Sequence, residues 1–265
     1  MVSEKELYIY TGKELLKDLK VNKLKYIITG CGRSGTVYMA KLFSSIGIPC
    51  GHESIFDCKG IETAKNRVEG VEPTSISHIG KLASECEEKE GICWFGDKEI
   101  KLVADSSYMA APFLDDPYFR DAVIIHVFRH PMKVISSFIN GLKYFKDECI
   151  EDDLKEYHQF IYKYIPGMKD VKDSISRAAL YWVEWNRMIK QKSENRIYFR
   201  YKVEDNPNKL LDFLSVKSKK YYHNTKSNHV ETKKVYRNFK EIPDLDIRAK
   251  TIKLYNSIYL PDALL

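Results

Sequence analysis

Short apolar runs alternate with longer amphipathic stretches along this chain, and glycines mark many of the boundaries. Leu24–Thr29 (LKYIIT) is rich in β-branched and aromatic residues and ends at Gly30-Cys31-Gly32, which predicts a buried strand running into a glycine turn. Ser34 is placed to cap the helix that follows. Met39, Leu42, Phe43 and Ile46 recur there at helical spacing, and Gly47 stops it. Pro49 to Gly91 mixes glycine, proline, histidine and charge, and predicts loops with one or two short helices. Ile92–Phe95 and Ile100–Ala104 predict strands, paired as a hairpin around Gly96-Asp97.

Ala122–Phe128 (AVIIHVF) is the cleanest strand pattern, and its near-continuous apolar run suits a strand covered on both faces of a parallel sheet. Pro131 then opens a helix with Ile135, Phe138, Ile139 and Leu142 as its apolar stripe. Ser137 falls roughly opposite that stripe, so its hydroxyl need not be buried in the core. Ser174–Lys192 predicts a long helix whose Trp182 and Trp185 read as core rather than as a binding platform. Arg196–Tyr201 predicts a strand, Asn206–Leu214 a helix and Leu245–Tyr259 the last helix. Strands alternating with helices predict an α/β fold: a three-layer arrangement, P-loop-like at its first turn, with a central, mostly parallel sheet flanked by helices. At 265 residues the chain suits a single domain over 1–265.

Composition narrows the classes. The sequence is 44% hydrophobic and 30% charged, which is ordinary for a globular chain and excludes low-complexity architectures. No apolar run approaches a membrane span, and the charged N-terminal stretch lacks an apolar signal core, so the expected location is cytoplasmic. Six cysteines without a secretion signal predict thiols rather than disulfides. Cys50, His52 and Cys58 lie close together but lack a fourth ligand and zinc spacing, so no metal is expected. The net charge of +6 is unevenly spread: Lys217, Lys219, Lys220, Lys226, Lys233, Lys234, Arg237 and Lys240 stand against Glu231 alone. Such a stretch suits phosphate or an anionic polymer, and equally a solvated basic loop.

The candidate chemistry sits in Gly30-Cys31-Gly32-Arg33-Ser34-Gly35-Thr36, between a strand and a helix. Backbone amides at a helix start point at an anion, the helix dipole favours it, and glycines allow close approach. A nucleoside triphosphatase would place lysine directly after the second glycine; here Thr36 stands there, and the cation is Arg33. Gly30-x-Gly32-x-x-Gly35 formally meets the dinucleotide spacing, so the glycines alone do not choose between ligands. A second pattern follows the strand AVIIHVF: Arg129-His130-Pro131, with Ser137 eight residues after Arg129. Arginine offers a planar fork for phosphate oxygens.

Together these segments resemble the sulfotransferase family, whose 5′-phosphosulfate loop carries Lys or Arg, then Ser-Gly-Thr, as Arg33-Ser34-Gly35-Thr36 does here. An arginine in the first position is closer to the tyrosylprotein and carbohydrate branches than to the cytosolic branch. The resemblance implies 3′-phosphoadenosine-5′-phosphosulfate as donor, with no metal. It implies donor contacts from Gly32, Arg33, Ser34, Gly35, Thr36, Val37, Arg129 and Ser137, and from Lys234 and Arg237 in the late basic segment. It also implies a catalytic base after the first helix, in Cys50-Gly51-His52-Glu53: Glu53 first, His52 second, with Arg33 stabilising the departing phosphate. Many carbohydrate members carry lysine beside serine where this chain has Asp105-Ser106, which leaves Asp105 and Ser106 as candidates for acceptor contacts. The acceptor itself stays open among sugar, tyrosine, lipid and small alcohol, as does oligomeric state. The alternatives are a nucleotide or small-molecule kinase, a non-catalytic nucleotide-binding module and, ranked last, nucleic-acid binding through the basic stretch.

Overall fold

The computed structural model describes residues 23–73, 102–141, 145, 152–216 and 236–260. Five strands form one sheet: β1 (Tyr26–Thr29), β2 (Cys50–His52), β3 (Ala104–Ser106), β4 (Val123–Phe128) and β5 (Tyr198–Lys202). Their order is β2-β3-β1-β4-β5 and every pairing is parallel. All five C-terminal ends therefore open on one edge, where ligand sites of parallel α/β sheets assemble.

The helices are α1 (Thr36–Ser45), α2 (Ile61–Glu69), α3 (Pro131–Ser136), α4 (Asp152–Tyr164), α5 (Ser174–Lys192), α6 (Asn208–Phe213) and α7 (Leu245–Tyr259). They cover both sheet faces, which makes the fold a three-layer α/β sandwich. Alternation along the strands explains the layering, because neighbouring side chains point to opposite faces. Ile27 and Ile124 pack with Trp182 and Trp185 of α5 and with α3 on one face. Ile28 and Ile125 pack with Met39, Leu42 and Phe43 of α1 and with Leu210 of α6 on the other. Trp182 and Trp185 are fully buried, as the sequence implied.

The expected elements that fall among the described residues form with boundaries shifted by a few residues, and α5 and α7 match their predicted spans. One expectation needs correction. Ser34 does not cap α1: Gly35 occupies that position, without any side-chain cap. Ser137 is 7% exposed and opens a π-helical turn at Ser137–Gly141. The strand expected at Ile100–Ala104 is observed at Ala104–Ser106, where it pairs in parallel with both β1 and β2. The rest of the expected hairpin, Ile92–Phe95 and Gly96-Asp97, lies outside the described residues, as do Lys234 and the basic stretch before it. Among the described residues, no helix is long and apolar enough to cross a membrane.

Candidate functional site

The loop after β1 crosses the C-terminal end of β4 so closely that a Cβ on Gly30 would lie 2.2 Å from the carbonyl oxygen of Val127. No side chain fits there. The loop then turns through Arg33 and Gly35, both left-handed, with φ of 66° and 103°. For Gly35 this is easy; for Arg33 it is strained, and strain of this kind collects at ligand sites. Glu53 shares the property, with φ of 54°.

Beneath the loop, Tyr181 of α5 accepts the Gly32 N–H at 2.7 Å. The Ser34 side chain is buried against Cys31, with its Oγ 2.8 Å from the thiol sulfur, and the Ser34 N–H donates to the Cys31 carbonyl. These two amides are thus engaged inside the protein. The first-turn amides of Thr36 and Val37, by contrast, have no side-chain cap. Burial pushes the Cys31 thiol up to about 12, so it is a packing group rather than a nucleophile.

The second sequence pattern converges on the first. Arg129 leaves the end of β4 and donates from Nη1 to the Arg33 carbonyl at 3.1 Å. The Arg33 Nε–H donates to Ser137 Oγ at 2.9 Å. Trp182 fixes the Arg129 backbone by donating from Nε1 to its carbonyl at 3.1 Å. Burial lowers the Arg129 guanidinium pKa, and the nearby Glu204 carboxylate opposes that shift. Arg33, Arg129 and Ser137, taken from two separate motifs, therefore meet directly. Arg237 is exposed; its neighbour Tyr236 is tied to α3 by a Tyr236 N–H donating to Ser136 Oγ at 2.7 Å.

On the other side of the loop, β2 carries His52 and Glu53 to the same edge. Thr36 Oγ1 lies 3.1 Å from His52 Nε2, and that nitrogen lies 3.8 Å from Glu53 Oε1. The Glu53 carboxyl is raised to about 8, first by burial and next by the carboxylate of Asp105; Arg33 pulls it back and Asp57 adds to the rise. The Tyr157 hydroxyl of α4 is raised as well, first by burial and next by the Glu53 carboxylate. It brings α4, an element with no counterpart in the sequence expectations, to the wall beside Glu53.

Asp105 and Ser106 are not acceptor-facing. Both are fully buried. Asp105 accepts the Ser54 N–H on Oδ1 and the Phe56 N–H on Oδ2, each at 3.1 Å. Ser106 donates from Oγ to the Thr36 carbonyl at 2.8 Å. Asp105 thus pins the turn that displays Glu53, and Ser106 pins the start of α1. Among the described residues no group of acidic, histidine and cysteine side chains is placed to hold a metal ion.

Tyr181 and the clamp by Asp105 escape sequence reasoning. Tyr181 sits on the buried face of a long helix, where an aromatic residue signals only core. The one clue is that a buried tyrosine hydroxyl needs a hydrogen-bond partner. No protein-family model matches the chain, and no curated protein matches it.

Proposed function

We propose that this chain is a sulfotransferase, moving a sulfuryl group from 3′-phosphoadenosine-5′-phosphosulfate to an acceptor hydroxyl by in-line displacement. The observation that carries this reading is the meeting of Arg33, Arg129 and Ser137 at the C-terminal edge of the sheet. Arginine side chains on this edge offer planar forks that match phosphate oxygens. The residues fit a donor with two separate phosphate positions. Arg129 and Ser137 would hold the 3′-phosphate, while Arg33, Thr36 and the uncapped amides of α1 would hold the 5′-phosphosulfate. Bound there, the donor supplies the sulfuryl group and a phosphate as leaving group.

The chain's own residues then have defined tasks. Arg33 and the α1 amides neutralise charge as it builds on the leaving phosphate. Glu53 stands one residue beyond β2, tied to the sheet by its N–H donating to the Ser106 carbonyl, and takes the proton of the attacking hydroxyl. His52 bridges the two halves, with Nε2 bonded to the Thr36 hydroxyl and near the Glu53 carboxyl. A pKa of about 8 suits a carboxylate asked to remove a hydroxyl proton, because a more basic acceptor takes it more readily.

The test is transfer of radiolabelled sulfate from the donor to a panel of sugar, phenol, alcohol and tyrosyl-peptide acceptors. Label should appear in at least one class and fall about 10²–10³-fold in Arg33→Ala, the usual effect of losing a charge-stabilising donor. Donor binding with no transfer to any class would leave a nucleotide-binding module instead.

A further inference from the structure

The turn that displays Glu53 is gripped by two elements. From β3 and its end, Asp105 accepts the Ser54 and Phe56 N–H groups, and Ser107 Oγ donates to the Phe56 carbonyl at 3.0 Å. The second grip comes from α2. Arg67 Nη1 donates to the Ile55 carbonyl at 3.1 Å, and Nη2 lies 2.7 Å from Asp57 Oδ2. Asp105 and Arg67 thus hold alternate positions of the same turn. The Arg67 side chain is 5% exposed, so its charge is enclosed together with that turn. Glu53 itself is left-handed, with φ of 54°, a conformation a non-glycine residue keeps only where its surroundings enforce it. Charge adds to the geometry. Burial and then Asp105 raise the Glu53 carboxyl, Arg33 pulls it back and Asp57 adds to the rise. The Asp105 carboxyl, raised to about 6 by burial, is pulled back by the amides it accepts and then by Arg67. From β2 and α4, His52 and the Tyr157 hydroxyl also face Glu53.

We propose that Arg67 is a positioning residue for Glu53: its fork fixes the turn that aims the carboxylate, and its charge offsets Asp57 so that Glu53 ionises closer to neutral pH. This rests on the reading of Glu53 as the base given above. Glu53 and Asp105 titrate as a coupled pair, so removing a cation beside them moves both steps upward. Geometry and charge then act on different observables. Loss of the fork lowers the rate at every pH, whereas loss of the charge moves the pH at which the rate climbs.

Two substitutions in the full chain separate these effects. Arg67→Lys keeps the charge and loses the fork. It should lower kcat about tenfold, the low end for one hydrogen bond to a charged group, and leave the inflection near 8 in place. Arg67→Gln removes the charge. It should raise the inflection by about one pH unit, so its loss of rate is about ten times greater at pH 7 than above the inflection. The same movement should appear without turnover in the carbon-13 carboxyl titration of Glu53, whose resonance is identified by its absence from Glu53→Gln. Both Arg67 variants should bind 3′,5′-bisphosphoadenosine as the parent does, because Arg67 lies outside the residues assigned to the donor. Where Arg67→Gln alone fails to fold, Asp57→Asn serves as the background, since it leaves no carboxylate without its cation. The Glu53 titration should fall below 8 in Asp57→Asn and rise again when Arg67→Gln is added. A Glu53 titration indifferent to Arg67→Gln, or a loss of rate in that variant equal at all pH values, would overturn the assignment of Arg67. Absence of transfer by the unsubstituted protein would overturn the sulfotransferase reading, and the carboxyl titration would still decide whether Arg67 sets the charge on Glu53.

Discussion

Glu53→Gln should lower the transfer rate by about 10²–10⁴-fold, the usual contribution of a positioned base. The pH dependence separates this from general damage. Glu53 accepts a proton only when ionised, and its carboxyl is raised to about 8 by burial and by Asp105. In the unsubstituted protein kcat/KM should therefore climb as pH rises through about 8, with only roughly a tenth of the molecules active at pH 7. The Gln variant should show a low rate without that climb. Stability moves the opposite way. A carboxyl whose folded pKa lies above its unfolded value contributes stability that is whole below the unfolded pKa and lost as pH rises through the folded one. The unsubstituted protein should lose stability between about pH 4.5 and 8, whereas Gln has no proton to lose. The variant should therefore melt higher than its parent at pH 8 while turning over far more slowly. A melting temperature that falls, or a kcat/KM profile still rising through 8, would remove Glu53 from the base position.

Asp105→Asn should bring the largest loss of stability at the site and also move the activity profile. Asp105 is fully buried and holds the Ser54 and Phe56 amides on its two oxygens. An amide side chain keeps one acceptor and turns an N–H toward the other backbone donor. Each buried amide left without an acceptor costs about 1–3 kcal/mol. The second effect is electrostatic. The Asp105 carboxyl is itself raised to about 6 by burial, so it is ionised at pH 8 and repels a charge on Glu53. Removing that charge should move the inflection in kcat/KM below 8. Burial, the larger cause, keeps it above the ordinary carboxylate range. Denaturant unfolding at pH 8 and a pH–rate profile read the two effects separately. Unchanged stability would mean that the clamp carries little, and an unmoved inflection would mean that Asp105 does not tune Glu53.

The parts of this molecule legible from sequence are those set by local pattern. β4 announces itself because both of its faces are covered and six consecutive residues, Val123–Phe128, stay apolar or nearly so. The turn at Gly30 is legible because close approach to Val127 demands glycine. The meeting of Arg129 and Ser137 with Arg33 follows once both motifs are placed at the ends of parallel strands. β2 was not legible: Cys50-Gly51-His52 has no apolar run, and it is a strand only because β3 supplies its partner. Asp105 looked like an acceptor contact because a carboxylate at a strand end commonly faces the ligand. The amides that hold it come from residues about fifty positions earlier. Ser34 looked like a cap, but Cys31 engages its hydroxyl and Gly35 takes the capping position.

The donor site itself is tested most directly by calorimetric binding of 3′,5′-bisphosphoadenosine, with ATP alongside and Arg129→Ala as control. Preferential binding of the bisphosphate, weakened about tenfold or more in the variant, is the expected result, since one arginine fork on phosphate is at stake. No binding, or bisphosphate and ATP bound equally by both proteins, would contradict the 3′-phosphate role of Arg129 and with it the sulfotransferase reading.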